Sequence, residues 1–260
     1  MTTHRDWLAD RPFTLVLSAG FFGFFAHTGL LAALASAGLV PRRVVGISAG
    51  ALAGGLWAAG LDPASLTEEL VRLRRSDFWD PGLPLGGLLK GDKFAGKLDE
   101  LLGGCGVRSF GDCRVPFAAI VHDVLRRRAE VVREGPMAPA IQASCTVPLM
   151  FRPVISPGRG LARRLWVDGG VSDRYGVTAL GKGERALFHA LPSRSARSRF
   201  TRPAPVPIAS PSRRVMIIPG LPRVSPFRLP FGQVALGVAY DYTSRWLDGD
   251  AAVDPVSRGS

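Results

Sequence analysis

The stretch 44–60, VVGISAGALAGGLWAAG, constrains this chain more than any other. Its centre, Gly46-Ile47-Ser48-Ala49-Gly50, is a G-x-S-x-G pattern. The β-branched Val44 and Val45 suit a buried strand before it. The small and apolar residues after it suit a tightly packed helix. Strand, sharp turn and helix form the setting in which this pattern projects a serine hydroxyl instead of burying it. The neighbours must be small, because strand and helix then lie almost against each other, and Gly46, Ala49 and Gly50 meet that demand. A helix starting here also offers unpaired N–H groups and a positive dipole end to an oxyanion. The competing reading is a buried turn that holds a small polar residue. In a chain with 31 glycines the bare pattern does not choose between them.

The 260 residues suit one sizeable domain, expected over 10–250. Hydrophobic residues at 47% and charged residues at 21% exclude wholesale disorder. The net charge of +12 has three sources to weigh: nucleic acid, an anionic membrane surface, or a coding bias towards arginine. No aromatic–basic interleaving or nucleic-acid motif accompanies it, so no nucleic-acid partner is expected. Cys105, Cys113 and Cys145 cannot all pair within the chain, and their spacing fits no zinc pattern. They read as free thiols in a reducing compartment. The opening MTTHRDWLADRP carries acids and lacks the apolar run of a signal peptide. The apolar run 44–61 approaches the length of a membrane span, but it is dominated by glycine and alanine and has no aromatic belt. The expectation is a cytoplasmic protein without signal peptide or transmembrane span.

Residues 12–18, PFTLVLS, read as a first buried strand. The loop Ala19-Gly20-Phe21-Phe22-Gly23-Phe24-Phe25-Ala26-His27 follows, leading into a helix over 28–37. It either aims backbone N–H groups at an anion or is a plain turn packed by four phenylalanines. The order strand, loop, helix, strand, elbow, helix places this loop and Ser48 at the same carboxyl edge of a parallel sheet. His27 reads as a structural histidine. A helix over 62–75 starts with Asp62 as N-cap and Pro63 at its first position. The connection 76–89 carries Phe78, Trp79, Leu83, Leu85, Leu88 and Leu89, which read either as packing over the core or as a lid or lipid-facing rim. A helix over 92–102 and strands over 115–123 and 129–132 come next, with Arg126-Arg127-Arg128 as a solvated turn or a phosphate contact. A helix over 136–145 leads into 143–153. The short strand 165–167 ends in Asp168-Gly169-Gly170. A carboxylate at a strand end, with glycines permitting a tight turn, is what a buried catalytic acid requires, though a turn or N-cap aspartate has the same pattern. Strands over 187–190 and 215–219 bracket 192–214, a Ser-, Pro- and Arg-rich stretch without periodicity. It is expected to be a mobile basic loop and a candidate for contact with anionic headgroups. A final helix covers 231–247.

Taken together, the glycine loop at 19–23, Gly46-Ile47-Ser48-Ala49-Gly50, the stretch Ala143-Ser144 … Pro148 … Phe151 … Pro153, and Asp168-Gly169-Gly170 resemble the patatin-like phospholipase family. The resemblance runs from about residue 13 to 173. It implies an α/β fold, three-layer α/β/α with a mainly parallel central sheet. It also implies a Ser-Asp dyad, with Ser48 as nucleophile and Asp168 as general base and later acid. A free aspartate has a pKa of about 3.9, so such a base must be partly desolvated. The oxyanion would be held by backbone N–H groups of Ala19, Gly20, Phe21 and Ala49. Gly46, Gly50, Gly169 and Gly170 are the motif glycines. The implied substrate is a lipid acyl ester, phospholipid or lysophospholipid, with no metal or organic cofactor and with peripheral contact to anionic membranes. Oligomeric state stays open. The chain departs from the family's usual loop of three glycines, a spacer, a basic residue and a glycine: phenylalanines stand at 21, 22 and 24, and the basic residue is missing. Two further readings stand beside this one. The first is an α/β-hydrolase triad of Ser48, Asp168 and His189, whose chain order is correct. The second is a lipid- or protein-binding module that kept the fold and lost catalysis.

Overall fold

The computed structural model describes residues 2–83, 86–156, 164–191 and 205–251. Along the chain lie α1 (His4–Asp10), β1 (Thr14–Leu17), α2 (Phe24–Ser36), β2 (Arg43–Ile47), α3 (Ala49–Ala59), α4 (Pro63–Arg72), β3 (Gly87–Leu89) and α5 (Asp92–Gly104). Then come β4 (Phe117–Asp123), β5 (Arg128–Val132), α6 (Met137–Ser144), β6 (Leu149–Phe151), β7 (Val154–Ile155), β8 (Leu165–Asp168), β9 (Ala186–His189), β10 (Arg213–Met216) and α7 (Phe231–Leu247).

The main sheet runs β10-β9-β1-β2-β4-β8-β7, with β5 also on β4. The five strands from β10 to β4 are parallel, and β5, β7 and β8 pair antiparallel. This is the α/β class the sequence implies, with a mainly parallel sheet. The central strands are buried along nearly their whole length, which is why their middles read as apolar runs. The strand period of two divides their side chains between two cores. Leu15, Leu17, Val44, Phe117 and Leu187 face one core, to which all seven α-helices contribute. Val16, Val45, Ile47, Ile120 and Phe188 face the other, which Tyr175 and the 3-10 turn Val177–Ala179 close as a thin outer layer.

One detail of register positions the site. β4 pairs through residues 117–120 with β2 and through 121–123 with β8, while β5 overlaps both stretches and so must hold the opposite edge. β2 and β8 therefore share one edge of β4 and meet head to head. Ile47 lies opposite Ile120, and Asp168 lies opposite the next residue, Val121. Two segments 120 positions apart are brought end to end by one continuous template.

Three differences from the sequence reading bear on the site and its surroundings. α2 begins at Phe24, not at 28, so two of the four phenylalanines form its first turn. Residues 76–89 are not wholly irregular: β3 pairs in parallel with β6 and ties that connection to the segment after α6. Of the expected loop 192–214, residues 192–204 lie outside the described residues, and Arg213 and Arg214 already belong to β10. Among the described residues, no helix is long and apolar enough to cross a membrane.

Candidate active site

Ser48 stands between β2 and α3 with φ 53° and ψ −120°, outside the regions an L-residue favours. Such a conformation costs on the order of 1–3 kcal/mol and persists only where the surroundings enforce it. They do so here. A Cβ on Gly46 would collide with the backbone of Gly50 and Ala51, and one on Gly50 would collide with the Leu17 carbonyl. The strand end, the helix start and β1 touch backbone to backbone, and the chain can turn only by throwing the serine outward.

The end of α6 braces this turn. The Ser48 N–H donates to Ser144 Oγ at 2.9 Å, and the Ser144 hydroxyl donates to the Ile120 carbonyl at 2.6 Å. The Cys145 thiol donates to the Ser48 carbonyl at 3.1 Å. Burial, then the charge of Asp168, holds this thiol well above its ordinary pKa, so it stays protonated and is no nucleophile.

Asp168 is 7% exposed. Its N–H donates to the Thr146 carbonyl at 2.8 Å, and its Oδ1 accepts the Gly170 N–H at 2.8 Å. A Cβ on Gly169 would meet the Ile120 carbonyl, so the carboxylate can sit this close to β4 only with glycine after it. Burial pushes the Asp168 pKa up to about 6, against the nearby Ser48 side chain, the Gly170 hydrogen bond and the positive charge of Arg174, which hold it down.

Four backbone N–H groups were expected to face a developing oxyanion. Ala19 is not available: its N–H donates to the Arg174 carbonyl at 2.9 Å. Gly20, Phe21 and Ala49 retain N–H groups with no hydrogen-bond acceptor among the described residues, and all three line the same cavity as Ser48. The loop solves its missing glycines by a shift. Phe22, not Phe21, takes the left-handed conformation at φ 56°, with its ring tilted against Phe24 at 5.4 Å. Arg174 braces the loop a second time, donating to the Leu191 carbonyl at 3.1 Å, while the Leu191 side chain fills the space beneath Gly20 and Gly23.

His27 and His189 are both fully buried, and their Nδ1 atoms lie 2.9 Å apart. His27 Nε2 must donate to the Ser18 carbonyl at 2.9 Å, so its Nδ1 accepts and His189 Nδ1–H donates. Burial drives the His27 pKa down to about 4 and that of His189 well below its ordinary value. His27 is thus the structural histidine expected of it. His189 corrects the triad reading, because its Nδ1 meets His27 and its Nε2 meets no partner among the described residues, while Asp168 Oδ1 accepts the Gly170 N–H.

The cavity at Ser48 measures about 160 Å³, on a measure where one water needs about 10–15 Å³. Leu52 and Leu56 of α3, Leu70 of α4, Leu98 of α5, Phe22 and Phe78 contribute to its walls. Its charged lining residues are already engaged: Glu69 pairs with Lys97 at 3.0 Å, and Asp77 accepts the Arg74 N–H at 2.7 Å.

The sequence profile of the patatin-like phospholipase family matches residues 15–180, from β1 through the turn after Asp168. The chain belongs to that family. Among its relatives, an NTE family protein of Mycobacterium tuberculosis is 30% identical over 161 residues, 61% of this chain and 42% of that protein. Neuropathy target esterase sws of Drosophila persimilis is 25% identical over 170 residues, 63% of this chain and 11% of that protein. The chain spans less than half the length of either. VipD from Legionella pneumophila shares the fold, with a TM-score of 0.62 at 14% identity over 91% of this chain and 67% of that one.

For this patatin-like chain, sequence reasoning named Ser48 and Asp168 but missed the roles of Ser144 and Arg174. Ser144 lay in a stretch already noted, and its burial beneath the elbow had no local signal. Arg174 follows the Asp168 motif by six residues, and its link to Ala19 exists only through the sheet.

Proposed function

We propose that this chain is a serine acyl hydrolase of lipid esters, phospholipid or lysophospholipid, working through Ser48 and Asp168. The observation that carries the reading is the strained Ser48 turn in the wall of a largely apolar cavity, with the buried Asp168 carboxylate of raised pKa brought to the adjoining position along β4. Family membership supports the lipid substrate class. Residues 10–250 would act as one unit.

Ser48 Oγ attacks the ester carbonyl carbon as Asp168 takes the hydroxyl proton. A pKa of about 6 makes Asp168 a stronger base than an ordinary aspartate while it is still ionised at neutral pH. The oxyanion is met by the N–H groups of Gly20, Phe21 and Ala49. Collapse expels the alcohol, which receives the proton from Asp168 and leaves acyl-Ser48. Water, deprotonated by Asp168, then releases the fatty acid and restores the serine.

A fluorophosphonate probe and fatty-acid release from phospholipid vesicles test this in the same samples. Ser48→Ala and Asp168→Asn are expected to lose both signals, and His189→Gln is expected to keep labelling within a few-fold. A folded wild type that neither labels nor releases fatty acid would return the chain to the binding-module reading.

A further inference from the structure

The mouth of the cavity carries a feature that hydrolysis at Ser48 does not need. Arg75 lies in the 3-10 turn Arg75–Asp77 after α4, and its guanidinium is 5.5 Å from the ring centroids of both Trp79 and Phe227. Phe227 is 74% exposed and Trp79 38%. Trp79 and Pro226 line the cavity, so the cluster stands on its rim. Phe21, 56% exposed, completes that rim from the glycine loop and packs on Phe22, which meets Phe78 at 5.8 Å. Water would not favour two large rings left this open.

Basic side chains predominate on this face. Arg74, Arg75, Arg223 and Arg228 are exposed, and no carboxylate pairs with them among the described residues. The nearby acids are engaged by the backbone. Asp77 accepts the Arg74 N–H, and Asp80 accepts the N–H groups of Gly91 and Lys93 at 3.0 and 3.1 Å. A guanidinium held against aromatic faces keeps its donors free for a planar anionic group, and its stacking prearranges it.

We propose that Arg75, Trp79 and Phe227 form a docking surface for an anionic phospholipid bilayer. The rings enter the headgroup–acyl boundary, and Arg75 takes a headgroup phosphate. The docked bilayer then lies over the mouth of the cavity that Ser48 lines, so an acyl chain passes from bilayer to cavity without crossing water. The inference rests on the lipid-hydrolase reading for its purpose but not for its test. It also moves the main lipid contact away from the 192–214 stretch and onto the rim itself.

The full chain is mixed with vesicles of phosphatidylcholine alone or with phosphatidylglycerol added, and the bound fraction is read by sedimentation. Ser48→Ala serves as the background, so lipid turnover plays no part. Binding is expected on the anionic vesicles and should weaken with salt. Arg75→Gln should lower the partition about fivefold, the contribution of one basic residue near such a surface. Phe227→Ser should lower it further. In the Ser48 background restored, both variants should hydrolyse a soluble short-chain ester as the wild type does, which separates docking from catalysis. If that ester is not cleaved by any form but partition still depends on Arg75 and Phe227, docking stands and the hydrolase reading fails. Unchanged partition in both variants, or equal binding to neutral vesicles, overturns the proposal. So does a dimer that Phe227→Ser dissolves in a chain that binds no vesicle, since the face would then join two copies.

Discussion

Asp168 and Glu184 show how residue environment sets opposite chemistry in one sheet. At the amino ends of β1 and β2, Glu184 meets Thr14, Arg42 and Arg43. Burial alone would raise its pKa, but the hydrogen bonds from Thr14, Gly181 and Arg42 and the charge of Arg43 outweigh it and bring the value down to about 2. Asp168, at the carboxyl end, is left with too few donors and rises to about 6. Two outcomes follow. Initial-rate profiles of kcat/KM should fall as pH drops through about 6, because protonated Asp168 cannot accept the serine proton; a profile flat from about pH 4 to 8 would remove it from that role. The folded-state value also lies above the unfolded one, so folding favours the protonated acid. The cost of the ionised group is absent below about pH 4 and grows as pH rises through about 6. Asp168→Asn should therefore stabilise the fold by on the order of 2 kcal/mol at pH 8, converging on the wild type near pH 4, as thermal denaturation would report.

At the scale of elements, the elbow is held by three partners that arrive from different parts of the chain: α3 beneath it, β1 against Gly50, and the end of α6 through Ser144. Ser144→Ala removes the acceptor of the Ser48 N–H and the hydroxyl that donates to the Ile120 carbonyl. It should cost about 1–3 kcal/mol in denaturant unfolding. It should also slow acylation by the fluorophosphonate probe, while His189→Gln does not. The elbow was legible because its demands are local: β-branched residues, then small ones, then glycine. The same locality made Asp62 and Pro63 readable, and the structure shows Asp62 capping Ala64 and Ser65 as the sequence implies. The start of α2 was misread because phenylalanine is indifferent between loop and helix. Only the Cβ-free approach of Gly232 to the Phe25 ring shows why that residue is helical and turned towards α7.

At the scale of the molecule, α3, α4 and α5 enclose the cavity together with the loop at 20–24 and residues 145–151 after α6, segments far apart in the chain. Leu70→Trp, placed on the α4 wall, should lower kcat/KM for a long-chain ester relative to a short-chain one by about tenfold, the effect of ~1.4 kcal/mol of lost apolar contact. An unchanged chain-length ratio would show that acyl chains lie elsewhere.

The sequence by itself determined the strand–elbow–helix, the candidate nucleophile and acid, and a mainly parallel α/β sheet, because each follows from side-chain size, branching and period over a few neighbouring residues. Only the tertiary structure decided that β2 and β8 share one edge of β4, that Ala19 gives its N–H to Arg174, that His189 turns to His27, and that Arg75 is stacked at the cavity mouth. Each of these depends on which distant segment occupies the adjoining space. Close packing of the sheet and its helices settles that, and no local pattern encodes it.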